Sequence, residues 1–406
     1  MSWPTLEAKP TQTEARWLTR GVVGIGLASL LADAGHEIPT ALLPAFLVST
    51  LGAPAAALGL IEGLADGAAG LARLAGGALS DDPARRRRVA EGGYLGTAII
   101  AAFIGVATAA WQVGVLRVAA WAARGVRVPA RNALLADLAP ATAYGRAYGF
   151  ERAMDNFGAI VGPLLAVVLV SAVGARTAIL LSVIPGLLAA GAILYAIRSV
   201  PRPTVRDRQL IRLRVRPLLH GRLGRLLVGV GAFELGHVAA TLLILRATQL
   251  LTPSNGEQAA TQLALGLYVG FNVAATVVSF PAGRLGDRRG AIAVLTAGVL
   301  LFLLAYLGFA LGPTGLLPLA LCFVAAGLAI GCVETAQHAA VAVLAPAELR
   351  GSAFGLLAGI QAFGNLAASA IAGLLWTLVG PAIAFGYLAV CTLVALGSIV
   401  FANRPE

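Results

Sequence analysis

Gly77-Ala-Leu-Ser-Asp81-Asp82-Pro83-Ala84-Arg85-Arg86 returns 206 residues later as Gly283-Arg-Leu-Gly-Asp287-Arg288-Arg289-Gly290. The same offset carries Pro140, Gly145, Gly149 and Gly158 onto Pro346, Gly351, Gly355 and Gly364, all identical. Ala139-Pro-Ala-Thr-Ala-Tyr-Gly145 likewise faces Ala345-Pro-Ala-Glu-Leu-Arg-Gly351. So long a period marks tandem duplication of a multi-helix unit, which in an apolar chain points to a membrane transporter.

Composition agrees. With 58% hydrophobic and 12% charged residues in 406, the chain cannot hide its apolar surface in a water-soluble globule. Its 49 glycines suit membrane helices, where small residues let backbones approach closely. Apolar stretches of about 20 residues, enough to cross the hydrocarbon, predict twelve helices. The first six have cores at 21–49, 54–79, 89–109, 112–136, 147–172 and 177–198. The second six lie at 226–250, 259–282, 291–312, 315–343, 352–378 and 381–402. This gives an all-α polytopic protein with a tail at 1–20, six-helix bundles at 21–198 and 226–402, a basic linker at 199–225 and a tail at 403–406.

The net charge of +11 is placed by topology. Arg85 to Arg88 and the nine arginines between Arg198 and Arg225 fall in connections on one side, so both termini are expected in the cytoplasm, with the chain multi-pass in the cytoplasmic (inner) membrane. These loops fit anionic headgroups of the lipid bilayer better than nucleic acid, and no nucleic-acid partner is expected. Leu210, Leu213, Leu218 and Leu219 fit either a short surface helix or an extended linker. Cys322, Cys332 and Cys391 sit in apolar stretches without pairing or metal spacing and read as packing residues.

Gly149-x8-Gly158-x3-Gly162-Pro163-x2-Ala166 opens the fifth helix. The glycines clear a face for close packing, and Pro163 removes a backbone donor and favours a bend. This stretch resembles the antiporter motif of the major facilitator superfamily, with Ala166 in place of the last Gly. The loop from Gly77 resembles that superfamily's signature between helices 2 and 3, with Asp82 and Ala84 where a basic residue and Gly are usual. The resemblance implies two six-helix halves rocking about a central cavity lined by helices 1, 4, 7 and 10, with no partner subunit needed. It also implies a latch in which Asp81 and Arg85 engage Asp137, with Asp287 as Asp81's counterpart.

Charges inside apolar helices cost about 2.5 to 3.5 kcal/mol each and normally face a cavity or a partner. Asp33, His36 and Glu37 share one face of helix 1, and Glu62 and Asp66 one face of helix 2. Helix 4 carries a basic stripe through Arg117, Arg124 and Arg131; Arg127 and Arg131 have the option of snorkelling to the interface. Helix 5 adds Glu151, Arg152, Asp155 and Asn156. Asp33-Ala-Gly35-His36 is echoed by Glu234-Leu-Gly236-His237 at an offset of 201, and helix 10 supplies Glu334 and His338.

Such residues serve two chemistries: buried acids that load and release a proton, and counter-charges for a bound substrate. The expected activity is proton-coupled efflux of a small molecule or ion, with Asp33, Glu37 and Glu234 as leading carriers. No cofactor is needed, only a proton as coupling ion. A metal ion or chelate held by His36, His237 and His338 is the alternative, and each histidine equally has a purely structural reading as a hydrogen-bonding residue. No nucleophile-base constellation, nucleotide loop or extramembrane domain supports an enzyme. A sensor that binds without moving its ligand is separated by a flux assay.

Overall fold

The computed structural model describes residues 17–199, 215–313 and 315–402. The expected tails, apart from residues 17–20, and most of the linker, with Leu210 and Leu213, lie outside those residues. Thirteen α-helices, and no strand among the described residues, carry the chain through twelve crossings. They are α1 (Arg20–Ala45), α2 (Ala55–Ser80), α3 (Pro83–Phe103), α4 (Ala110–Leu138), α5 (Tyr144–Leu181), α6 (Val183–Arg198), α7 (Gly221–Glu234), α8 (Ala240–Asn255), α9 (Glu257–Arg289), α10 (Ala291–Leu311), α11 (Leu316–Leu344), α12 (Arg350–Leu378) and α13 (Pro381–Ala402). Crossings five and six part inside α5, at Gly174, where φ is 77°. Only glycine adopts such a value without strain.

Eight helical stretches are long and apolar enough to cross a membrane on length and composition alone. The crossings outside that set are α2, α4 and the pair α7 and α8. The first two carry several charged side chains within the span, and the third is broken. Span seven, expected as one helix over 226–250, stops at Glu234 and restarts at Ala240. The freed backbone groups find partners on other helices: Ser369 Oγ accepts from the Ala239 N–H at 3.0 Å, Asn365 donates to the His237 carbonyl at 2.9 Å, and Tyr387 donates to the Leu235 carbonyl at 3.0 Å. A break inside a bilayer survives only with such satisfaction. Ser369 stands at the duplicate position of Pro163.

The duplication reappears as paired contacts. Gly125 of α4 leaves room only for the Ala69 carbonyl of α2, and Gly331 of α11 does the same for the Ala275 carbonyl of α9. Each of those four positions maps onto its partner by the 206-residue offset. In the first half α1 packs on α5 and α6, and α2 on α4. The halves meet where α5 lies along α9 and α2 along α12. Gly145 meets Gly283, and Gly77 meets Gly351 and Gly355, backbone against backbone.

Two aspartates close this same end, and they do so differently from expectation. Asp81 accepts from the N–H and the hydroxyl of Ser352, with the N–H at 2.7 Å. Asp287 accepts from the N–H groups of Gly145 at 2.6 Å and Arg146 at 3.2 Å, and from Arg146 Nε at 2.7 Å. Each carboxylate therefore sits on the N-terminus of a helix in the opposite half, where unsatisfied N–H groups and the helix dipole favour an anion. The expected Arg85 to Asp137 pair is also corrected. Asp82 caps α3 through Ala84 N–H at 2.8 Å and holds Arg85 Nε at 3.3 Å, so the next residue, Arg86, turns to Asp137 instead. Arg350 of the second half approaches the other oxygen of Asp137 at 3.7 Å.

Candidate transport cavity

Between the halves lies a cavity of about 460 Å³. Its wall includes Asp33, Asp66, Arg124, Asp155, Glu234, His237, Glu334 and His338 among the residues the sequence singled out. Glu62, His36 and Glu37 do not reach it. Glu62 pairs with Arg117 at 3.0 Å. His36 lines a separate small cavity with Tyr94, Thr97 and Ser182, and its ring nitrogens lie 3.4 Å from Asp33 and 3.3 Å from Glu37. Asp33, His36 and Glu37 contact one another on α1, but of the three only Asp33 looks into the central space.

Asp33 is positioned by glycine. A Cβ on Gly158 would come within 2.5 Å of the Leu30 carbonyl and 3.0 Å of Asp33 Cβ. The antiporter-like glycines, Gly158 and Gly162 together, thus seat α5 against the turns of α1 that carry Asp33 and Glu37, and Gly149 seats it against Ser279 of α9. Arg124 reaches Asp33 from α4 at 3.3 Å. The second half repeats the seat: Gly364, the duplicate of Gly158, lies where a Cβ would come within 2.5 Å of Glu234 Cβ. Glu234 holds His237 at 3.1 Å. Gly35 and Gly236 press α1 onto α6 and span seven onto α13 respectively.

The basic stripe of helix 4 does not snorkel. Arg127 and Arg131 are 3% and 4% exposed. Arg131 meets Glu151 at 2.8 Å and Asp155 at 3.2 Å, while Arg127 lies over the Tyr94 ring at 4.1 Å. Arg152 contacts Glu151 at 2.7 Å and Asp155 at 3.2 Å, and reaches across to Glu334 at 3.8 Å. Desolvated guanidiniums are costly without such partners. Asp66 accepts from Trp121 Nε1 at 3.1 Å.

Sequence reading missed Arg73, Gln361, Asn365 and Ser369 in the wall. Arg73 gave a usable signal, an arginine in the middle of an apolar helix, four residues before the Gly77 motif. The three amides and hydroxyls gave none, because polar uncharged residues are common on any helix. Among the described residues no three His, Cys, Asp or Glu side chains form a group able to hold a metal ion. His36 lines its own small cavity, whereas His237 and His338 line the central one.

Twelve crossings, two duplicated halves and a charged cavity between them define a membrane transporter rather than an enzyme. The chain belongs to the Major Facilitator Superfamily, whose family model matches residues 25–254 and 240–406. An uncharacterised MFS-type transporter of Methanocaldococcus jannaschii is 27% identical over 385 residues, 94% of each chain. Among solved structures, a bacterial homologue of the iron transporter ferroportin in its outward-facing state superposes with a TM-score of 0.76 at 17% identity, over 95% of this chain and all of the other. The human organic anion transporter MFSD10 gives 0.72 at 18% identity, over 94% of this chain and 99% of its own. At these identities the structures speak for the fold alone.

Proposed function

We propose that the protein is a proton-coupled exporter of a small molecule, a monomer in the cytoplasmic membrane with both termini inside. The observation that carries this reading is Asp33, a buried carboxylate in the cavity wall, held by Arg124 and His36 and seated on Gly158 of the antiporter-like motif. A carboxylate so placed has two stable arrangements, charged in its ion pair or protonated with Arg124 released, and that choice is what a proton gradient can drive. The halves are closed at the end bearing the basic loops, which under the cytoplasmic assignment is the inner end. Rocking would then exchange this closure for one at the other end. Solved neighbours of the same fold include an organic anion transporter and a homologue of an iron transporter, so fold does not choose the cargo.

Flux in proteoliposomes under an imposed pH gradient tests the coupling. Asp33→Asn is expected to abolish gradient-driven transport while counterflow of substrate at equal pH persists. Undiminished gradient-driven flux in that variant sinks the assignment.

A further inference from the structure

The cavity walls are oppositely charged. In the wall given by α1, α2, α4 and α5, five arginines face three aspartates. Glu151, behind that wall, joins Asp155 in neutralising Arg131 and Arg152, and Asp33 takes Arg124. This leaves Arg73 and Arg127, neither with an ion-pair partner among the described residues. Their Nε atoms are buried without a hydrogen-bond partner. Arg73 has one outlet, a 3.2 Å hydrogen bond to the Ala358 carbonyl, and Arg127 has only the Tyr94 ring. Against them stands Asp66, one carboxylate for two guanidiniums, which accepts from the neutral Trp121 N–H and keeps its charge.

The opposite wall, from span seven, α11 and α12, contains Glu234 and Glu334 and, among the described residues, no arginine or lysine. Glu234 is engaged by His237 and, at 3.5 Å, by Gln337. Glu334 is the freer: its side chain is 28% exposed, and among the described residues its one ion contact is the distant Arg152 at 3.8 Å. Unpaired buried charge is costly, so a cavity polarised this way binds best a molecule that brings the complementary pair.

We infer that the cargo is amphoteric: an anionic group such as a carboxylate binds Arg73 and Arg127 of the first half, and a protonated amine binds Glu334 of the second. The inference rests on the export reading and deepens it. A cargo held by both halves draws them together. A simple anion would leave Glu334 without a counter-charge, and a simple cation would leave both guanidiniums unanswered.

Binding at fixed pH in detergent, followed by thermal shift, tests this with matched trios. Phenylalanine, 4-(aminomethyl)benzoate and 6-aminohexanoate are each compared with the N-acetyl anion and the methyl-ester cation of the same skeleton. The amphoteric member of at least one trio is expected to bind about tenfold or more tighter than both relatives. Arg73→Gln should erase its advantage over the ester, Glu334→Gln its advantage over the N-acetyl compound, and Arg73→Lys and Glu334→Asp should retain part of each. Equal or tighter binding by a singly charged analogue, or no binding by any amphoteric member, overturns the proposal. The two readings fail separately. Amphoteric preference without pH-driven flux removes proton coupling alone, and pH-driven flux of a singly charged compound removes the amphoteric cargo alone.

Discussion

The two acid-x-Gly-His segments, Asp33 to His36 and Glu234 to His237, share a blueprint and end in different structures. In both, the acid is buried against a glycine of the same repeat, Gly158 or Gly364, and the histidine sits one turn on beside it. In both, the intervening glycine presses the helix onto the last crossing of its half. Yet α1 continues unbroken past His36, whereas span seven unwinds after Glu234. The acids differ too: among the described residues Asp33 has an arginine, Glu234 only His237 and an amide. A duplicated scaffold has been kept for packing while its interior diverged, one copy holding charge pairs and the other a polar break.

Four outcomes would sharpen or break this contrast. The largest effect is expected on transport. Asp33→Asn should lower pH-driven flux by about a hundredfold or more, the scale of losing a positioned proton carrier, and Glu234→Gln by visibly less; equal losses would make the two acids equivalent. Next is the seat itself. Gly158→Val and Gly364→Val each force a Cβ onto the acid-bearing turn and should cost roughly 1–3 kcal/mol, read as a lowered Tm in detergent. A smaller loss at Gly364 would show that the broken span yields where α1 cannot. The latch comes third, with Asp287→Asn and Asp81→Asn each expected to weaken closure of the basic end by about 1–3 kcal/mol. Spin labels on the facing ends of α5 and α9, and of α2 and α12, should report wider distances, more so for Asp287, which also holds the Arg146 guanidinium. The smallest is Ser369→Ala, which strands the Ala239 N–H and should destabilise the second half by about 1 kcal/mol; no change in Tm would mean the break is held without it.

Much of this was legible from residue order because it depends on local spacing. The twelve crossings and the pairing of Asp81 with Asp287, Gly149 with Gly355 and Gly158 with Gly364 follow from the apolar stretches and the 206-residue offset, whereas a latch at Asp81 came from the family resemblance and with a different partner, Asp137. What escaped depends on the rotamer and cap choices at helix ends and on contacts distant in sequence. Whether Arg85 or Arg86 meets Asp137 is decided by Asp82 capping α3, which fixes the rotation of that helix start. The burial of Arg131 rests on Glu151 and Asp155, on another helix. The unwinding of span seven needs Asn365 and Ser369 on α12 and Tyr387 on α13, and nothing within 226–250 announces them.

The glycine pairs at the closed end bear on the kinetics of turnover. Where Gly145 meets Gly283 and Gly77 meets Gly351 and Gly355, the halves touch through main chain. Immobilising a long side chain on docking costs about 0.5–1.5 kcal/mol, and these surfaces have none to immobilise. Closure there carries little entropic penalty, and parting strands no side chain in an unfavourable rotamer. The joint behaves as a smooth bearing, leaving the few polar latches around it to set how long each closed state lasts.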